Sequence, residues 1–206
     1  MTPFTTIDSV AAFMAEQNID TDAIYPARYL LLMDKAGLGR YLFHDRRFHP
    51  DGKPKPGFVL DKAPFAGSKI LIAGSGFGCG SSREQAVWAL TDFGIRCVIA
   101  PSFGEIFAGN SLQNGLLPIV LPAETVSQLG AAAEKGAMFR VDLEARTLSM
   151  DGKIIAPINL PEGQRAALMH GWDATDILLR EEGESIAAFE TQHRQAQPWL
   201  FQETSL

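Results

Sequence analysis

Cysteine is almost absent from this chain of 206 residues, which has two, Cys79 and Cys97. Two thiols form no disulfide framework. Nor can they alone hold an iron–sulfur cluster, which takes about three or four thiolates. Basic clusters are also missing. The net charge is −6 and no Lys/Arg stripe runs along any segment, which excludes nucleic acid as a partner. No apolar run approaches the roughly 20 residues that span a bilayer. The opening residues, Met1 to Ile7, lack the basic start and apolar middle of a signal peptide. A soluble, cytoplasmic protein without a membrane partner is the expectation. There is no internal repeat and no low-complexity segment. A hydrophobic share of 46% and a charged share of 20% are those of an ordinary globular chain. The length suits one domain, or one domain with a small appendage.

Glycine is abundant in one place. Gly74-Ser75-Gly76-Phe77-Gly78-Cys79-Gly80 holds four glycines in seven residues and continues as Ser81-Ser82-Arg83. Before it, Lys69 to Ala73 is an apolar run of buried-strand length. After it, Glu84 to Phe93 carries apolar residues at 86, 89, 90 and 93, a helical stripe. A strand therefore enters a glycine loop that opens a helix. The first amides of such a helix lack intrahelical partners, and with the helix dipole they favour an anion. Arg83 can grip a carboxylate or phosphate through paired hydrogen bonds. The alternative is a tight strand-to-helix turn with Ser81 or Ser82 as N-cap. Cys79 sits where thiolates are stabilised, whereas Cys97, in the apolar run 97–100, reads as inert core.

The remaining elements follow from pattern. Arg96 to Ala100 is a second strand, parallel to the first because a helix separates them. A short helix over 103–108 and a turn over 110–114 precede a strand from Leu116 to Leu121. Glu124 to Lys135 is helical and stopped by Gly136. Phe139–Leu143, Thr147–Met150 and Lys153–Ile158 read as strands, the last two joined at Asp151-Gly152. Pro161 to Glu182 and Glu184 to Gln195 read as helices broken at Gly183, and Trp199 to Phe201 as a docking tail. Asn18-Ile19-Asp20-Thr21-Asp22 is a metal or substrate loop, or a solvated turn. From Asp34 to Asp61 the density of Pro, Gly and charge predicts a long functional loop. His44 and His49 with Asp45 between them lack a third metal ligand at recognisable spacing.

Several site classes fail on spacing. G-x-G-x-x-G started at Gly74 puts Cys79 third, and started at Gly76 puts Ser81 there. No acid ends the second strand to hold a ribose, and no Gly-Lys-Ser/Thr is present. The hydrolase elbow G-x-S-x-G started at Gly80 ends on Glu84. His170 and His193 lie in helical patterns and make poor triad bases. What survives is an anion loop presenting Ser81, Ser82 and Arg83. A serine can move a proton if nearby donors stabilise its alkoxide. Abstraction beside a carboxylate leaves a hydroxyl to expel, and that wants a Lewis acid. The residues therefore predict half a site, with the metal on another chain.

Three linked motifs then carry a resemblance. Asn18-Ile19-Asp20-Thr21-Asp22 with Pro26-Ala27-Arg28-Tyr29-Leu30, Phe77 through Glu84, and Ala100-Pro101-Ser102-Phe103 through Asn114-Gly115-Leu116-Leu117-Pro118 are similar to the small subunit of 3-isopropylmalate dehydratase, over roughly residues 1–195. The resemblance implies an α/β fold, a three-layer swivelling β/β/α domain like aconitase domain 4, over residues 1–160. Residues 161–206 would form a C-terminal helical extension packed on it. It implies no cofactor in this chain and a [4Fe–4S] cluster on a large partner subunit. The pair would isomerise 2-isopropylmalate and 3-isopropylmalate by dehydration and rehydration in leucine biosynthesis. Ser81 matches the catalytic serine base. Ser82, Arg83 and Asp22 match substrate-binding positions, and Arg28 is a second substrate contact. The loop after Tyr29 matches the segment that helps choose the substrate side chain. Gln85 replaces the usual histidine, Gly74-Ser75-Gly76-Phe77 replaces Gly-Asp-Asn-Phe, and Leu31 to Asp34 is less basic than is common. These departures leave open a related alkylmalate, such as citraconate or dimethylmalate, or a carboxylate-binding module without chemistry.

Overall fold

A computed structural model of the chain describes residues 1–32 and 34–201. It divides into two compact units, Met1–Gly171 and the chain from Trp172 onward. In order, the first unit contains β1 (Thr6–Met14), α1 (Thr21–Ile24), α2 (His44–Arg47), β2 (Ile70–Ala73), α3 (Glu84–Phe93), β3 (Cys97–Ala100), α4 (Glu105–Gln113), β4 (Leu117–Val120), α5 (Ala123–Ala133), β5 (Met138–Asp142), β6 (Thr147–Met150), β7 (Lys153–Pro157) and α6 (Glu162–His170). The second contains α7 (Ala174–Ala196) and a 3-10 turn at Pro198–Phe201.

The seven strands form one sheet in the order β4-β3-β2-β1-β5-β6-β7. β1 pairs in parallel with β2, with Ala11 opposite Ile70 and Met14 opposite Ala73. On its other side it pairs antiparallel with β5. One strand thus joins a parallel half to an antiparallel meander. Alternation along the strands divides the core by face. Leu71, Ala73, Val98 and Ala100 point with Ala12 and Met14 into a core shared with Ala86, Val87 and Leu90 of α3. Ile70, Ile72, Cys97 and Ile99 point the other way, into a core shared with Val126 and Leu129 of α5 and with Phe139, Val141 and Leu148 of the meander. α3 therefore covers one face of the parallel half, and α5 with the antiparallel meander covers the other, a mixed α/β layering. Burial of Cys97 pushes its thiol pKa upward, which agrees with its reading as inert core.

Three sequence readings change. The central strand β1 has no counterpart in the sequence pattern. Its residues mix strand formers such as Thr6, Ile7 and Val10 with Asp8 and the pair Ala11-Ala12, which are depleted in strands. Tertiary pairing on both edges overrides that, and the buried Ser9 is satisfied by donating to the Val10 carbonyl and accepting from the Lys69 amide. Second, 103–114 is not a helix and a turn but one helix. Gly109 sits in it with nothing crowding its Cα. Third, the late helical break falls at Gly171, not Gly183. Gly171 takes the left-handed conformation, and Asp173 opens α7 with a capping box to Asp176. Gly183 carries no such signal, and α7 runs through it.

The long segment 34–61 holds short structure. It contains α2, two 3-10 turns (Leu38–Tyr41 and Val59–Asp61) and a bridge between Phe48 and Pro54. The turn at Leu38–Tyr41 rides on α3, where the Gly39 amide donates to the Asp92 carboxylate at 2.7 Å. A Cβ on Gly39 would meet the Phe93 backbone nitrogen at 2.7 Å, so the close approach requires glycine.

Candidate functional site

The loops after β1, β2 and β3 leave the same edge of the parallel half, at the carboxyl ends of its strands. Open α/β sheets place their ligands at this edge. Main-chain hydrogen bonds knit the three loops together. Gly76 N–H donates to the Ser102 carbonyl at 3.0 Å and Gly78 N–H to the Ile19 carbonyl at 2.8 Å. Thr21 N–H donates to the Cys79 carbonyl at 3.0 Å. Phe77 is buried beneath the loop with its ring edge-on to Phe107 at 5.4 Å and to Phe103 at 6.4 Å. The glycine loop is therefore a strand-to-helix connection held on both sides, not a free flap.

Segment 18–22 is a pinned turn. Asp20 caps α1 by accepting from the Ala23 amide at 2.7 Å. The Thr21 hydroxyl donates to the main-chain carbonyl of Ser81 at 2.9 Å. Asp22 accepts from the Ala27 amide at 2.8 Å and from Nη1 of Arg83. Asp22 and Arg83, 61 residues apart, thus form an ion pair at the start of α3. The side chain of Arg83 is 16% exposed and that of Asp22 57%. The guanidinium is therefore held in place while the carboxylate faces outward. Among the described residues only Nη1 is bonded, which leaves other donors of the guanidinium for a second carboxylate.

Neither serine caps α3. Arg83 occupies the N-cap position in an extended conformation, and no side chain caps the helix there. The N-cap reading of Ser81 or Ser82 fails because the chain turns helical two residues too late for Ser81, whose carbonyl is taken by Thr21. Both serines are exposed at the mouth of the loop.

Arg28 lies on the next turn and is engaged differently. Its guanidinium pairs with Asp45 through both terminal nitrogens and lies 3.1 Å from Nδ1 of His44. It stacks 4.7 Å above the Tyr29 ring. The Arg28 pairing comes first among the causes holding the Asp45 carboxyl below the usual range, and Asp45 in turn raises Arg28. Arg28, Tyr29, His44, Asp45, His49 and Lys55 line an open cleft of about 680 Å³. Ser81, Ser82, Arg83 and Asp22 are therefore brought together, whereas Arg28 lines a cleft to which none of those four contributes. The sequence pattern did not reveal Asp45 and His44 as partners of Arg28, nor Thr21 as the clamp on Ser81. Contacts across 16 to 60 residues leave no local spacing to read. Among the described residues no group of three or more His, Cys, Asp or Glu side chains is placed to hold a metal ion.

Asp22 has a measurable signature. The Ala27 amide, followed by Arg83, holds its carboxyl below the usual value, and partial burial works against this. A depressed native pKa contributes stability that is present above the unfolded value near 4 and is lost as pH falls through the native one. The Asp22 side-chain carbon should titrate by NMR with a midpoint below about 3.9. In Arg83→Ala the midpoint should rise only part of the way, because the Ala27 hydrogen bond remains. A wild-type midpoint at or above the reference value would refute the pairing.

The fold and loop geometry agree with the comparisons to known proteins. The aconitase C-terminal domain family matches residues 1–124. The family of the C-terminal domain of 3-isopropylmalate dehydratase small subunits matches residues 181–203. The chain is thus of the aconitase C-terminal type. It is 49% identical over 97% of its length, and 98% of the relative's, to the 3-isopropylmalate dehydratase small subunit of Rhodospirillum centenum. It is 45% identical over 97% of its length, and 98% of the relative's, to that of Phenylobacterium zucineum. A crystal structure of 3-isopropylmalate dehydratase from Methanocaldococcus jannaschii superposes with a TM-score of 0.64 at 27% identity, covering 90% of this chain and 99% of that one. The chain belongs to the family of 3-isopropylmalate dehydratase small subunits.

Proposed function

We propose that this chain is the small subunit of a heteromeric hydro-lyase that isomerises 2-isopropylmalate and 3-isopropylmalate in leucine biosynthesis. The observation that carries the reading is the near-full-length identity to small subunits of that name. The exposed Ser81–Arg83 mouth, held by Asp22 and Thr21, supplies the chemistry expected of such a subunit. Arg83 receives one substrate carboxylate with the donors that Asp22 leaves unused, and Ser82 adds a hydroxyl at the same mouth. This fixes the carbon beside the carboxylate against Ser81, whose Oγ takes the proton as an alkoxide base. The same Oγ returns a proton when water is added back, so the dehydration and rehydration halves balance. Asp22 keeps the guanidinium in place, and Arg28 serves as a second substrate contact.

Expulsion of the substrate hydroxyl calls for a Lewis acid, which a [4Fe–4S] cluster on the large subunit would supply. The described residues do not fit such a group: one thiol is buried, the other partly buried, and among the described residues no three His, Cys, Asp or Glu side chains are placed to hold a metal ion. The unpaired thiols suit a reducing compartment, and we place the complex in the cytoplasm. No helix among the described residues is long and apolar enough to cross a membrane.

The test is reconstitution. The purified chain alone should be colourless and without activity. Co-expressed with its large subunit, it should give a brown complex that isomerises 2-isopropylmalate faster than other 2-alkylmalates in a panel. Activity of the isolated chain would overturn the divided site. A stronger preference for another alkylmalate would move the substrate assignment to that compound.

A further inference from the structure

Glu84 is the first residue of α3 and follows Arg83 directly. A carboxylate so close to a guanidinium that must receive a substrate carboxylate is a competitor for it, and it repels an incoming anion. The structure holds Glu84 in a cluster with Asn114, Trp88 and Lys35. Its Oε1 accepts from Nδ2 of Asn114 at 2.7 Å and from Nε1 of Trp88 at 3.3 Å. Asn114 Oδ1 accepts from the same indole at 3.0 Å and from the Lys35 ammonium at 3.0 Å. Its Nδ2 also donates to the Asn110 carbonyl at 2.9 Å. Lys35 lies 4.7 Å above the Trp88 ring. The Asn114 amide thus uses both its hydrogens and both lone pairs, and this leaves its orientation no freedom. The residue stands at the C-cap of α4. It therefore ties the end of one helix to the first turn of another, and to the loop that bears Lys35.

We infer that Asn114 is a positioning residue for the substrate mouth: it holds the Glu84 carboxylate off Arg83, so that the guanidinium is left to Asp22 and to the substrate. The inference rests on the reading of Arg83 as a carboxylate grip. An aspartate at 114 would face Glu84 with like charge, and an alanine would leave it only the longer 3.3 Å bond from Trp88 Nε1.

The experiment compares Asn114→Ala, Glu84→Gln and the double variant in the reconstituted complex. Asn114→Ala should raise KM for 2-isopropylmalate by about tenfold with kcat changed by less than about threefold. Glu84→Gln alone should resemble the wild type. Adding Glu84→Gln to Asn114→Ala should bring KM back to within about twofold of the wild type, because the freed charge is gone. An unchanged KM in Asn114→Ala, or a double variant as impaired as Asn114→Ala, would overturn the inference and leave Asn114 a packing residue. A second readout does not depend on turnover. In the isolated full chain, a released Glu84 draws Arg83 from Asp22, so the NMR midpoint of Asp22 should rise in Asn114→Ala and return in the double variant. A midpoint that stays put in Asn114→Ala also overturns the inference. Inactivity of the wild-type complex on every alkylmalate, with that midpoint shift intact, would strike the functional reading and spare this one.

Discussion

Ser81→Ala in the reconstituted complex should lower kcat by about 10³-fold, within the range usual for loss of a general base, while the subunits still assemble. Assembly should survive because, among the described residues, the hydroxyl makes no hydrogen bond that the fold relies on. The Thr21 clamp takes the main-chain carbonyl of residue 81, which alanine keeps. The side chain is exposed, so its loss leaves no buried polar group stranded. KM should change little, since Arg83 and Ser82 still receive the carboxylate. Steady-state kinetics with gel filtration of the complex checks both halves. Near-wild-type turnover would remove Ser81 as the base and move the proton transfer to another group.

The second large effect is on stability. Gly78→Ala should lower the stability of the first unit by about 4 kcal/mol, combining overpacking with the cost of a side chain in the left-handed region. Gly78 has a φ of 72°. A Cβ there would overlap the Phe107 ring, whose Cδ1 and Cδ2 would lie 2.6 Å away. The ring has no easy retreat. It lies edge-on to Phe77 and stacks on Phe103 at 6.3 Å. Gly104 also approaches the Gly78 backbone from that side, its own Cβ position 2.9 Å from the Gly78 carbonyl carbon. Thermal unfolding should therefore fall by about 12 °C for a chain of this size. Gly109→Ala is the matched control. It lies inside α4 with open space at its Cβ position, so alanine there should be neutral or stabilising by up to about 1 kcal/mol. Equal melting temperatures for Gly78→Ala and wild type would show that the loop is looser than its contacts imply. Together the two variants separate the loop's chemistry from its support, since Ser81 lies at its rim and Gly78 at its base.

Much of this was legible in the order of residues. The strand-loop-helix unit around Gly74 to Arg83 stands where the pattern puts it, because a short apolar run, a glycine cluster and an amphipathic stripe are each local signals. The meander was legible for the same reason, through alternation and the Asp151-Gly152 turn. The failure of the dinucleotide and hydrolase spacings is likewise a property of the sequence alone. The expectation that Ser81, Ser82, Arg83, Asp22 and Arg28 form one site came from matching linked motifs, and no periodicity would have produced it.

Tertiary structure decided the rest. β1 is the centre of the sheet, yet its residues carry only a mixed strand signal, and its place there comes from being paired on both edges. Where α6 ends was decided by a left-handed glycine and a capping box rather than by the more central Gly183. Most of all, the sequence offers Arg83 as a candidate anion grip but not its partners. The fold pairs it with Asp22 across 61 residues, and pairs the neighbouring Glu84 with Asn114 across 30. A charge declares its sign in the sequence, but which charge it meets depends on how the chain is brought back upon itself. Those long-range pairings turn a glycine loop with two serines and an arginine into an ordered mouth.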